Sequence, residues 1–145
     1  VEAHLPHTHL DGAAIKLPDG APLVALTLRY DRLDNFWFTL CHELAHVALH
    51  FDEEGATVFF DDLEQPEIDA IEKDADRWAT EALIPSELWH RANMNGKSSV
   101  NRLCEFAAGL RISPAIPAGR IRKESGDYKL FSGLVGNKQV RKLFV

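Results

Sequence analysis

Cysteine is scarce: only Cys41 and Cys104 occur in the 145 residues, far apart and each in an apolar helical context. This excludes a disulfide framework and leaves two reduced, buried thiols as the expectation. No apolar run approaches the roughly 20 residues that cross a bilayer. The opening Val1-Glu2-Ala3-His4 has neither the basic region nor the apolar stretch of a signal peptide. A cytoplasmic protein with no membrane partner is therefore expected. Glycine-rich phosphate loops, a nucleophile elbow, internal repeats and low-complexity tracts are all missing. An excess of positive charge is missing too: the net charge of −6 argues against direct nucleic-acid binding by this segment. Half of the lysines and arginines fall after Leu110, while acids gather at Asp52-Glu53-Glu54 and Asp61-Asp62-Leu63-Glu64. Solvated surface accounts for both clusters. With 46% hydrophobic and 26% charged residues, one globular domain spanning residues 1–145 is expected. The first residue is not methionine, and the chain is expected to be part of a longer one.

What the sequence does hold is His42-Glu43-Leu44-Ala45-His46. On a helix, His42 and His46 stand about 40° apart and one turn apart, so both imidazoles can reach a single ion. Zinc at a catalytic site takes three protein ligands and keeps a fourth position for water, whose pKa falls toward 7. Glu43, beside the pair, is the candidate catalytic carboxylate that takes the proton of that water. A chance match on a solvated helix is the competing account. The flanking Phe36, Trp37, Phe38, Leu40, Leu44, Val47, Leu49 and Phe51 oppose it, because a helix so apolar all round is expected to be buried. Unpartnered imidazoles and a carboxylate would be costly there.

Around this helix, predicted from about Asn35 to Phe51 with Asp31 or Asp34 as cap, the other elements follow from turn and periodicity signals. Leu10 to Leu17 and Ala21 to Tyr30 form a hairpin about Pro18-Asp19-Gly20. Ala56 to Phe60 is a further strand, and Gln65-Pro66 opens a helix that stops before Pro85. Three shorter helices are expected beyond it: one opening at Ser86, one capped by Ser98 or Ser99 that runs through Leu110, and one from Ser113-Pro114 to about Glu124. Tyr128 to Phe131 and Val140 to Val145 read as short apolar ends. The class is α+β, a short β-sheet packed on a buried helix that carries the motif, with further helices.

The helix before Pro85 supplies the candidate third ligand. With Glu72 at 0° on the helical wheel, Ile68, Ile71, Ala75, Trp78, Ala79, Ala82 and Leu83 occupy an arc from about −120° to +20°, so Glu72 lies on the apolar face. Asp76 lies about 40° away at the edge of that arc, placed to hold the far nitrogen of a ligating histidine. Glu67, Asp74 and Glu81 fall on the opposite, solvated face. His50 is a third histidine one turn after His46, about 6 Å further along a helix with no Gly or Pro to bend it back. It is assigned to the helix end or pocket wall. His4, His7 and His9 are read as a solvated or strand-edge segment. Tyr30, His50, Arg77 and Tyr128 are the candidates for steadying an oxyanion or lining a pocket.

The stretch Phe38 to His50, taken with Ile71 to Pro85, resembles the ImmA/IrrE metallopeptidases. The resemblance is good from about Pro22 to Leu88; beyond it, Pro114-Ala115-Ile116 and Val140 to Phe144 are similar to the HigA-type antitoxin branch. It implies a small zincin-like domain binding Zn2+, with His42 and His46 as the zinc histidines, Glu43 as the catalytic glutamate and Glu72 as the acidic ligand. Many members carry an N-terminal helix-turn-helix domain in phage regulators and antitoxin-like transcription factors. DNA binding would then belong to such a domain. Two departures stand out: Asp76 where the family often has Asn, and Pro117 within a helix expected to be regular. The implied function is a zinc-dependent endopeptidase cutting a regulatory protein or peptide substrate. The alternative is a catalytically silent, metal-stabilised regulatory module of an antitoxin-like regulator.

Overall fold

A computed structural model describes residues 10–51, 58–59 and 66–144, with side chains described from Ala70 onward in the last stretch. Strands β1 (Gly12–Lys16) and β2 (Pro22–Leu26) pair antiparallel, from Gly12 opposite Leu26 to Lys16 opposite Pro22. The turn between them closes by Gly20 N–H donating to Leu17 O at 2.8 Å, with Gly20 at φ +85° and Pro18 ready-set for the first turn position. Pro22 begins an edge strand, where its missing donor costs no ladder bond. Strand β3 (Val58–Phe59) pairs antiparallel with the other side of β1, giving the order β2-β1-β3. The predicted strands run longer than those observed; residues 56, 57 and 60 of the third, and His4, His7 and His9, lie outside the described residues.

Helix α1 (Leu33–His50) packs against α2 (Pro66–Leu83), the hairpin and α5 (Ala115–Ser125). The expected Asp cap is corrected. Neither Asp31 nor Asp34 caps α1, whose N-cap is Arg32. Leu33 N–H instead donates to Val135 O at 3.0 Å, and Asp31 Oδ1 accepts from Val140 and Arg141 N–H. Asp34 is held by the fork of Arg32 at 2.9 and 2.7 Å. The C-terminal segment thus does the work expected of a local side chain. Gly136, at φ +68°, makes this possible, because a Cβ there would lie 2.7 Å from Leu33.

Burial along α1 is a second correction. Trp37, Leu44 and Leu49 are exposed at 39%, 42% and 43%, whereas Asp34, His42, Glu43, Ala45, His46 and His50 are buried. One face of α1 enters the interior, and it is the polar one. Likewise Trp78 and Ala82, assigned to the buried arc of α2, are exposed, while Ala75 and Ala79 are fully buried. Small residues let two helices approach closely, and the fully buried Ala45 of α1 and Ala75 and Ala79 of α2 are of that size.

Helices α3 (Ser86–Ala92) and α4 (Val100–Leu110) complete the helical part. Ser99 caps α4 by accepting from Arg102 N–H at 3.2 Å, as its sequence signal indicates. Pro117 does not interrupt α5. It lies in the first turn, where backbone N–H groups have no partner within the helix and a proline removes nothing. Apolar packing is concentrated away from the hairpin, around Ile84, Trp89, Leu103, Ile116, Ile121 and Val135. The terminal residues Arg141–Leu143 form a 3₁₀ turn. Truncation of the fully buried Leu103 to alanine is expected to cost about 2–5 kcal/mol in urea denaturation. Val100→Ala, half-exposed on the same helix, should change it by less than about 0.5 kcal/mol.

Candidate metal centre

Helical periodicity stacks His42 over His46 on the buried face of α1, with ring centroids 4.7 Å apart. Their Nε2 atoms are 3.0 Å apart. From α2, Glu72 brings Oε2 to 2.9 Å from His42 Nε2 and Oε1 to 3.3 Å from His46 Nε2. His42, His46 and Glu72 each offer a ligand atom, all within 4.8 Å of one another. Asp76, one turn after Glu72, sets Oδ1 3.0 Å from His42 Nδ1. Its other oxygen accepts from Lys123 Nζ at 2.9 Å.

Protonation follows from these contacts. Burial pulls the Asp76 carboxyl upward, but hydrogen bonds from His42 and Lys123 outweigh it and hold the group below its ordinary value. Burial likewise opposes ionisation of Glu72, and the His42 and His46 imidazoles outweigh it more strongly. An ionised Asp76 can only accept, so His42 Nδ1 carries the hydrogen, and without a second proton the ring has its lone pair at Nε2. That lone pair faces a carboxylate oxygen and a second imidazole nitrogen. Positive charge among these atoms, as protons or a metal ion, is needed to relieve their repulsion. A tetrahedral ion with bonds of about 2.0–2.2 Å places its ligand atoms roughly 3.3 Å apart. The two nitrogens are 3.0 Å apart, and the nearer Glu72 oxygen of each lies at 2.9 and 3.3 Å, so an ion would have to spread these donors by a few tenths of an ångström.

Glu43 is 2% exposed and lies against β1. A Cβ on Gly12 would stand 2.5 Å from Glu43 Oε1 and 2.8 Å from Thr39 Cγ2, so only glycine lets the strand pass so close. His42, Glu72 and Asp76 line a cleft of about 790 Å3 whose walls include Arg32, Phe38, Arg77, Arg120, Lys123 and Tyr128. Of the four residues considered for oxyanion or pocket roles, Arg77 and Tyr128 line this cleft, and Tyr30 and His50 do not. Tyr30 is exposed beneath the Arg29 guanidinium, 4.6 Å from its ring centre. His50 ends α1, buried, with its ring 5.6 Å from that of His46. Cys41 is a free thiol outside the ligand group, and burial pushes its pKa up.

A family model, Peptidase_M78, the IrrE N-terminal-like domain, matches residues 5–122. The chain belongs to this family. No curated protein and no solved structure matches it. In this IrrE-like domain the matched segment contains His42, Glu43, His46, Glu72 and Asp76, while Lys123 and Tyr128 of the cleft lie just beyond it. The family's name points to peptidases, and hence to protein substrates. No described helix is long and apolar enough to cross a membrane.

Sequence reasoning missed Gly12, Lys123 and Arg120. For Gly12 a signal existed, since glycine inside a strand marks close backbone approach. The lysine and arginine sat in a basic run read as solvated surface, and nothing local tied them to α2.

Two outcomes are expected of the metal-free domain. Because Glu72 and Asp76 are held below the unfolded carboxyl value of about 4, their stabilisation is complete above that pH and is lost as pH falls through the depressed values. Urea midpoints measured down to pH 3 should fall in the acid range, and fall less steeply in Asp76→Asn. Gly12→Ala should destabilise by about 1–3 kcal/mol by overpacking against Glu43, read from the same titration at neutral pH.

Proposed function

We propose that this domain is a zinc-dependent endopeptidase of zincin-like fold that cuts a regulatory protein. His42, His46 and Glu72 are assigned as the zinc ligands, and Glu43 as the catalytic carboxylate. The observation that carries the reading is the convergence of three donor atoms within 4.8 Å, with Glu43 next in sequence to the first of them. Bound there, zinc would supply Lewis-acid polarisation of the scissile carbonyl and make water acidic enough to attack at neutral pH.

The chain's own residues account for the rest. Glu43 accepts a proton from the attacking water at its carboxylate and returns it to the departing amine nitrogen. Its burial keeps bulk water away from that carboxylate. Asp76 keeps the His42 tautomer that presents Nε2 to the ion. The cleft is assigned to an extended peptide segment, and Arg77 and Tyr128 on its walls to steadying negative charge developing on the carbonyl oxygen. A helix-turn-helix domain elsewhere in a longer chain would supply any DNA binding; this part of the proposal rests on resemblance alone.

The test separates metal from chemistry. Wild-type protein purified without a histidine tag should contain zinc stoichiometric with the chain, and His42→Ala should lose it. Glu43→Gln should keep the metal while hydrolysis of a denatured, fluorescently labelled protein mixture falls by about 10²-fold or more. Retained metal with no cleavage by the wild type would instead identify a silent, metal-stabilised module.

A further inference from the structure

Lys123 joins three elements at the cleft wall. Its Nζ donates to Asp76 Oδ2 at 2.9 Å and sits 4.1 Å from the centre of the Phe38 ring. Asp76 Oδ1 accepts from His42 Nδ1 at 3.0 Å, and the Phe38 ring lies 6.2 Å from the His42 ring. These contacts close a cycle of lysine, aspartate, histidine and phenylalanine running from α5 through α2 to α1. We infer that Lys123 is a positioning residue that fixes the Asp76 carboxylate and, through it, the orientation of the His42 imidazole. The inference rests on the metal-site reading above.

Stability is not the purpose of the pair. The Lys123 and Asp76 side chains are 54% and 43% exposed, and ion pairs so open to solvent contribute little to folding. Geometry is a different matter. A carboxylate held at one oxygen can swing about that contact, and one held at both oxygens cannot. With Oδ2 anchored by the ammonium, Oδ1 stays in line with Nδ1, and Nε2 stays aimed at Glu72 and His46. Phe38 restrains the ammonium in turn, because the face of an aromatic ring attracts a cation.

Positioning and simple electrostatics predict opposite signs. Removing the lysine charge leaves Asp76 unneutralised beside the site, which by charge alone would tighten binding of a cation. Loss of orientation would weaken it. The experiment is zinc affinity by competition with a chromophoric chelator at neutral pH, together with melting of the metal-free protein. Lys123→Met should raise the zinc dissociation constant about tenfold, the low end for partners of metal-ligating histidines, with melting unchanged. Lys123→Arg, which keeps charge and donors, should stay within about twofold of wild type. Unchanged or tighter binding in Lys123→Met overturns the inference, as does equal weakening in both variants. Failure of the wild type to bind zinc overturns the metal reading itself, and the inference with it.

Discussion

Two imidazole nitrogens held 3.0 Å apart, with one oxygen of the Glu72 carboxylate 2.9 Å from the first and the other 3.3 Å from the second, cannot all present lone pairs to one another without a positive charge among them. That constraint organises the domain. It needs α1 and α2 close enough for Glu72 to reach both histidines. It needs the polar face of α1 turned inward, against the hydrophobic preference of Trp37, Leu44 and Leu49, which are left partly in solvent. The cost of that inversion is offset locally by the contacts among His42, His46, Glu72 and Asp76.

Support for the site comes from elements remote in sequence. β1 passes over Glu43 at Gly12, and α5 delivers Lys123 to Asp76. The segment around Val135 and Val140 takes over the end of α1, satisfying the backbone of Leu33 and engaging Asp31. The main apolar cluster lies among α3, α4, α5 and the end of α2, and its Ile84 and Ile116 reach the cleft wall.

Much of this was legible residue by residue. Spacing within one helix follows from 100° per residue, so the pairing of His42 with His46 and of Glu72 with Asp76 needed no structure. Proline and serine signals set the limits of α2 and α4 for equally local reasons. The reading failed where a distant partner decided the outcome. Asp31 looks like a helix cap until Val140 and Arg141 claim its oxygen. The apolar flanks of α1 suggested burial all round, but hydrophobic count does not say which face meets a neighbour.

By itself the sequence determined the chemistry on offer: two histidines and a glutamate on one helix, an acidic pair on another, and membership in the IrrE-like family. Tertiary structure alone decided which of these groups meet. Glu72 reaches both imidazoles, and Lys123 anchors Asp76 across 47 positions of sequence. Tyr30 and His50 are not among the residues lining the cleft, and Arg77 and Tyr128 are. The reason is physical. Helical periodicity is a local property of the backbone, whereas convergence between helices depends on packing small side chains and on contacts that close only when the whole chain is folded.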